Sequence, residues 1–411
     1  MENSFLSEFK KREYFNQCTN SNELELLMNE QKIRAYIGFD CTAPSLHVGS
    51  LIQIMCLRLL QKHGHQPIVL LGGGTTRIGD PSGKEETRKI LSKKEIEKNI
   101  KNIEKIFQIF LKTKKPKTKP IFVNNYKWLG KLNYIKFLRE IGKHFTINKM
   151  LSFDSVKLRL EREQSLSYME FNYMILQAYD FLELNKTKNC IMQIGGSDQW
   201  GNIVNGVELI KRHSNKQVFG LTTPLLTLAS GSKMGKTEKG AIWLDKKLLS
   251  PYDYWQFWRN TDDRNVIKFL QMFTDLKLEK IEQIKNNNIN QLKILLANET
   301  TSMLHGKVAA QKAEQTAKDT FEKRSIGESL PLVNIKKKEL TNGINILDLV
   351  IAANLLSSKS EVRRMIKNKG IKINNETVED DKLTVTLNNF NQDNSIKLSH
   401  GKKNHVILKI V

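Results

Sequence analysis

Two short segments, far apart in the chain, carry groups suited to gripping a polyphosphate. His47-Val48-Gly49-Ser50 stands between a stretch that reads as a strand, Ala35 to Asp40, and an apolar stretch that reads as a helix, Leu51 to Gln61. His47 therefore opens a helix, where backbone N–H groups and the helix dipole favour phosphate. Lys233-Met234-Gly235-Lys236-Thr237 offers two ammonium groups and a hydroxyl on a backbone loosened by small residues, one able to fold over phosphates as their charge redistributes. Taken singly, each segment has a plainer reading. A histidine at a helix start is commonly structural, and a Lys-x-x-Lys pair is commonly solvated surface. Taken together they describe a divided ATP site.

A third set of groups lies on one predicted helix. Tyr173, Gln177 and Asp180 fall at i, i+4 and i+7, while Met174, Ile175, Leu176, Ala178, Phe181 and Leu182 make the rest of that helix apolar. The polar stripe is either the solvent side of the helix or the lining of a polar cavity. Gly195-Gly196-Ser197-Asp198-Gln199-Trp200-Gly201-Asn202 bends a strand into a helix with little steric bulk, so that a nucleotide can approach the backbone; a plain turn would not need both Asp198 and Gln199 at the bend. Two other glycine-rich stretches fail as nucleotide motifs. Arg77 stands where a dinucleotide fingerprint needs its third glycine, and in Gly79-Asp80-Pro81-Ser82-Gly83-Lys84 a P-loop would require glycine at Ile78 and a hydroxyl at Glu85.

Residues 33–39 read as a strand, 46–62 as an apolar helix closed by Gly64, and 67–72 as a second strand, a βαβ unit. A charged helical stretch follows over 84–112, then an exposed lysine-rich loop over 112–120. Strand signals return at 121–124 and 190–194, the latter leading through Gly195 and Gly196 into a helix around 203–211. This alternation implies an α/β fold with a doubly wound parallel sheet, whose ligands bind at the carboxyl ends of the strands. The domains expected are 1–245 for that sheet, 246–323 for a run of helices and 324–343 for an aperiodic linker, followed by 344–411 for a small α+β module. In the last, Arg363, Arg364 and Lys367 ride a short helix ahead of Gly370.

A chain of 411 residues holds two or three domains by size alone, and its formal net charge of +23 favours a polyanionic partner, although lysine, asparagine and isoleucine are abundant throughout. Cys18, Cys41, Cys56 and Cys190 make no CxxC pair, which argues against a zinc site or a disulfide framework and fits a reducing cytoplasm. The N-terminal segment lacks the apolar core of a signal peptide, and no apolar run is long enough to span a bilayer.

The His47 and Lys233 segments resemble the HIGH and KMSKS signatures of class I aminoacyl-tRNA synthetases. Tyr36-Ile-Gly-Phe-Asp40, Gly79 to Lys84, Tyr173 to Asp180 and Gln193 to Asn202 narrow the resemblance to the bacterial-type tyrosyl-tRNA synthetases, over nearly the whole chain. It implies a Rossmann-like catalytic domain that joins tyrosine to its tRNA through a tyrosyl-adenylate, with ATP and Mg2+ as substrate and no tightly bound cofactor. The resemblance assigns Tyr173, Gln177 and Asp80 to the α-amino group and Asp180 with Tyr36 to the phenol hydroxyl. Gln199 lies beside the reacting carboxylate, Asp198 on the ATP ribose and Gly38 under the adenylate, with Asp40 also on the nucleotide side. Thr42, His47, Lys233, Lys236 and Thr237 face the phosphates, with Lys84 and Arg88 as possible additions. Ser50 departs from the family by replacing the second motif histidine, and Gly235 stands where the average motif has serine. Residues 357–376 resemble a small RNA-binding fold shared with a ribosomal protein. The family implies a homodimer, though no interface is visible in the sequence. The competing readings are a tryptophan enzyme, against which the Asp180–Tyr36 pairing and the C-terminal module argue, and a non-catalytic RNA-binding homologue, against which His47, Lys233 and Lys236 argue.

Overall fold

The computed structural model describes residues 4–81, 91–226, 234–237, 240–321, 330–337, 340, 343–391, 393–401 and 404–411. Lys84, Arg88 and Lys233 lie outside these, and for Lys236 and Thr237 only the backbone is described.

The catalytic sheet has six strands: β1 (Gln17–Cys18), β2 (Arg34–Phe39), β3 (Gln66–Leu71), β4 (Ile121–Asn124), β5 (Cys190–Gly196) and β6 (Phe219–Thr223). Their order is β1-β6-β5-β2-β3-β4, parallel throughout except for β1, which pairs antiparallel with β6 at one edge. β3 is buried along nearly its whole length, as a strand sandwiched between helical layers requires. The chain runs outward from β2 through β3 to β4, then returns to the other side of β2 for β5 and β6. The direction of winding therefore reverses between β2 and β5, and the carboxyl ends of those two strands open the crevice where such sheets bind ligands.

Four expected helices form; of these, the one expected over 46–62 is an α-helix from Leu51 and the one expected over 84–112 from Lys93, with 82–90 outside the described residues. Leu51–Lys62 is a helix buried on most of its faces, entered through a single turn at Val48–Ser50. The charged stretch becomes the helix Lys93–Phe110, started by a reciprocal cap between Ser92 and Glu95. Tyr173–Lys188 and Trp200–Ser214 are the other two, each ended by an asparagine in the left-handed conformation, Asn189 and Asn215.

Two boundaries differ from expectation. The chain forms two compact units, residues 1–249 with 259–304, and residues 250–258 with 305–411, so the helices expected as a domain over 246–323 are divided between them. Helix Val266–Phe273 and its following loop are tied into the first unit. The Arg12 guanidinium donates to the carbonyls of Gln271 at 2.7 Å and Leu276 at 2.9 Å, and Arg58 donates to Asp275. Sequence periodicity reports helices but not which core they join. The expected linker also contains structure: Leu332–Ile335 pairs in parallel with Asn404–Ile410 and forms an edge of the five-stranded C-terminal sheet. Four residues beside a polar, glycine-containing stretch carry too little pattern to announce a strand whose partner lies at the far end of the chain.

In that second unit the helix Lys359–Lys367 buries Val362 and Ile366 against the local core and leaves Arg363, Arg364 and Lys367 exposed. Ser358 caps its start by accepting from the N–H of Glu361 at 3.3 Å.

Candidate active site

A cavity of about 320 Å³ opens at the carboxyl ends of β2 and β5. Its lining includes Tyr36, Gly38 and Asp40 from β2 and the residue after it, Tyr173, Gln177 and Asp180 from one helix, and Asp198 and Gln199 from the bend after β5, with Gly49, Ser50 and Asp80. The stripe on the Tyr173–Lys188 helix is therefore a cavity lining and not a solvent face. Asp180 is only 2% exposed.

One end of the cavity holds a buried carboxyl facing a buried phenol. Asp180 accepts from Trp128 Nε1 at 2.7 Å and from Asn125 Nδ2 at 2.9 Å. Asn125 is itself fixed, accepting from the Gly74 N–H at 2.7 Å and donating to Thr75 Oγ1 at 3.0 Å. Burial pushes the Asp180 carboxyl up to about 7 against these two donors, which favour the anion. The Tyr36 hydroxyl is buried and makes no hydrogen bond among the described residues; burial, then the charge of Asp180, push it well above the ordinary phenol range. Leaving such a hydroxyl unpaired costs about 1–3 kcal/mol, which a ligand able to bond with it would recover.

Elsewhere along the cavity, polar side chains form two hydrogen-bonded sets. Asp40 accepts from Tyr173 Oη at 3.2 Å and from Thr75 Oγ1 at 2.7 Å. Gln199 Nε2 donates to Asp80 at 3.0 Å, and Asn202 Nδ2 bridges the side-chain oxygens of Gln177 and Gln199 at 3.1 Å each. Tyr173 thus bonds to Asp40, and Asp80, which the resemblance grouped with it, lines the same cavity. Both carboxylates line the same space and suit an ammonium group.

At the other end the walls become glycine-rich. A Cβ on Gly196 would collide with Asp198. Here the segments around His47 and Gly235 meet. The Val48 N–H donates to the Ile242 carbonyl at 2.9 Å, the Leu244 N–H to the Leu46 carbonyl at 2.9 Å, and His47 forms a β-bridge with Trp243. Strands β7 (Lys236–Thr237) and β8 (Gly240–Ala241) make the hairpin that carries this contact. Gly235 has φ +106°, and a Cβ there would lie 2.7 Å from Gly49 N and 2.7 Å from His47 Nδ1. Glycine at this position is a steric requirement of bringing the segments together.

Two expected phosphate groups do not line the cavity. Thr42 is exposed, and the half-buried His47 turns Nδ1 back to accept from the Gly49 N–H at 3.0 Å, capping its own helix entry. An accepting Nδ1 leaves the proton of the neutral ring on Nε2. The orphan N–H groups of a helix start compete for any nearby acceptor, and an imidazole one residue ahead is within reach.

Residues 28–322 match the family of class I tRNA synthetases for tryptophan and tyrosine, and residues 322–408 match the C-terminal domain of tyrosine–tRNA ligases. The chain is 69% identical over 409 residues to the tyrosine–tRNA ligase of Pelagibacter ubique, covering 100% of both chains. It is 51% identical over 410 residues to that of Rickettsia felis, covering 99% of this chain and 100% of the relative. Among solved structures, a C-terminally truncated mitochondrial tyrosyl-tRNA synthetase of Aspergillus nidulans superposes with a TM-score of 0.71 at 30% identity, over 78% of this chain and 94% of that one. This chain belongs to the tyrosine–tRNA ligases. A site that tells tyrosine from phenylalanine has to present polar groups to a phenol, and Asp180 and Tyr36 are polar groups of this cavity.

Sequence reasoning missed Asn125, Trp128 and Thr75. Asn125 directly follows β4, and the rule that ligands gather at the carboxyl ends of strands could have flagged it. For Trp128 no comparable signal exists.

Proposed function

We propose that the cavity condenses tyrosine with Mg-ATP and passes the product to tRNA. The single observation that carries this reading is the unpartnered Tyr36 hydroxyl beside an Asp180 held by two donors, at the closed end of a cavity whose other end is glycine-walled. A phenol seated there donates to Asp180 and accepts from Tyr36. The ammonium group of the same amino acid meets Asp40, Tyr173, Gln177 and Asp80, which brings its carboxylate toward Gln199 and the glycines of β5. One carboxylate oxygen then attacks the α-phosphorus of ATP; the bond to the bridging oxygen breaks, and pyrophosphate leaves with those electrons. In the second step the terminal ribose hydroxyl of tRNA attacks the acyl carbon and AMP departs. No side chain of the enzyme forms a bond to substrate. Catalysis comes from alignment and from groups on the departing pyrophosphate, the cations Lys233 and Lys236 and the hydrogen-bond donors Thr237, His47 and Thr42. His47 serves through Nε2.

Other parts of the reading draw on different surfaces. Arg363, Arg364 and Lys367, exposed side by side on one helix, suit the phosphates of tRNA(Tyr). Homodimerisation is supported by large apolar side chains left exposed over 134–169, among them Ile135 at 71%, Ile147 at 60% and Tyr168 at 67%. No helix among the described residues is long and apolar enough to cross a membrane, and a cytoplasmic site of action is proposed with the rest.

Tyrosine-dependent exchange of pyrophosphate into ATP, measured beside charging of tRNA, tests the reading. Both should proceed with tyrosine and fail with tryptophan. Charging without tyrosine dependence, or no exchange, would refute it.

A further inference from the structure

The Lys93–Phe110 helix buries Ile96, Ile103, Ile106, Phe107 and Phe110, and among them stands one amide, Asn99, only 7% exposed. Burying an amide costs free energy unless it is bonded, and packing alone would favour another apolar side chain there. Asn99 Nδ2 donates to the Cys41 carbonyl at 2.9 Å. Cys41 lies two residues past the end of β2, where the sheet ladder supplies no partners, and it is fully buried. Its N–H donates to Thr76 Oγ1 at 2.7 Å, and Thr76, itself buried, stands in the turn that follows β3. Both backbone groups of one loop residue are thus held by side chains from two other elements.

Cys41 separates Asp40 from Thr42. The Asp40 carboxylate is held independently of this clamp, because it accepts from Thr75 Oγ1 at 2.7 Å and from Tyr173 Oη at 3.2 Å. Thr42 is exposed, and the carbonyl that Asn99 holds belongs to the peptide leading into it. A peptide is planar, so fixing that carbonyl fixes the N–H and Cα from which the Thr42 side chain departs. We propose that Asn99 and Thr76 are positioning residues for adenylate formation, which clamp the Cys41 backbone and so place the Thr42 hydroxyl for the departing pyrophosphate. This rests on the reading of Thr42 as a donor to that leaving group. Because pyrophosphate departs in the first step, the clamp does not serve transfer to tRNA. Because Asp40 is anchored separately, it does not serve tyrosine binding either.

The test is single-turnover kinetics of the full chain, which separate the tyrosine dissociation constant from the rate of adenylate formation, together with transfer to tRNA from preformed tyrosyl-adenylate. Asn99→Leu keeps the shape and removes the donor, and Thr76→Val keeps the shape and removes the acceptor. Each should slow adenylate formation about three- to tenfold, the size of one hydrogen bond, and leave tyrosine affinity and the transfer rate unchanged. In a Thr42→Ala background neither should slow it further, since no hydroxyl remains to be placed. An equal loss with and without that hydroxyl would make the two residues struts of the fold and overturn the inference. Weaker tyrosine binding, slower transfer or an unchanged rate would do the same. If Asn99→Leu fails to fold, Thr76→Val decides by the same comparison. Adenylate formation unaffected by Thr42→Ala alone would refute the underlying reading of Thr42, and the inference with it.

Discussion

Trp128→Phe isolates the control of Asp180, because it removes one N–H and keeps an aromatic ring of similar shape. In the parent the carboxyl is buried and lies near 7, with Trp128 Nε1 at 2.7 Å and Asn125 Nδ2 at 2.9 Å favouring its anion. A hydrogen bond to a charged group contributes about 1.5–3 kcal/mol, and about 1.36 kcal/mol corresponds to one pH unit, so losing the indole N–H should move the ionisation upward by roughly one to two pH units. A phenol donates more strongly to the carboxylate than to the protonated acid. Tyrosine binding should therefore weaken in the parent as pH falls through about 7. In the variant the ionised fraction at pH 7 drops roughly 5- to 50-fold, while at pH 9 it drops about twofold or less, by the same ionisation arithmetic. The assay is KM for tyrosine in pyrophosphate exchange from pH 6 to 9, taken as the ratio of variant to parent so that titration of the substrate cancels. A ratio that is the same at pH 7 and pH 9 would refute the reasoning, as would a flat profile for the parent between pH 6 and 8.

Asp180→Asn should stabilise the fold at pH 8 and leave it unchanged near pH 4: the raised carboxyl contributes its stability below the unfolded value of 3.8 and loses it as pH rises through about 7, a difference of roughly 2–4 kcal/mol visible in paired thermal melts, while tyrosine loses its advantage over phenylalanine. Gly235→Ala forces a Cβ into a left-handed conformation against Gly49 and His47, and strain of about 1–3 kcal/mol should lower the rate of adenylate formation about five- to a hundredfold with KM for tyrosine nearly unchanged; parent-like exchange would show that the two segments need not touch. Neutralising Arg363 and Arg364 together should spare pyrophosphate exchange and weaken tRNA binding, flattening its logarithmic salt dependence by about 0.7–0.9 for each phosphate that the helix no longer neutralises; an unchanged slope would remove this helix from the tRNA surface.

Much of the catalytic unit was legible because its signals are local. Strands of branched apolar residues and helices with a 3.6-residue period announce themselves within a few residues, and β2, β3 and β4 formed near their expected bounds, with the four flanking helices also present. The polar stripe of Tyr173, Gln177 and Asp180 was legible for the same reason. Its partners were not. Trp128 and Asn125 reach Asp180 across more than fifty intervening residues, and Tyr173 reaches Asp40 from still farther along the chain. No spacing in the chain encodes such pairings.

What the sequence determines by itself, then, is the set of elements and the chemistry each can carry, since backbone preference and hydrophobic period act over short range. The tertiary structure decides which groups face one another. It turns His47 back onto its own helix and makes Gly235 a packing necessity by pressing it against Gly49. It also draws Leu332–Ile335 into a sheet whose other strands lie far along the chain. Each of these depends on long-range register and close packing, where a shift of one residue or one ångström changes the partner, and that information exists only once the chain has closed on itself.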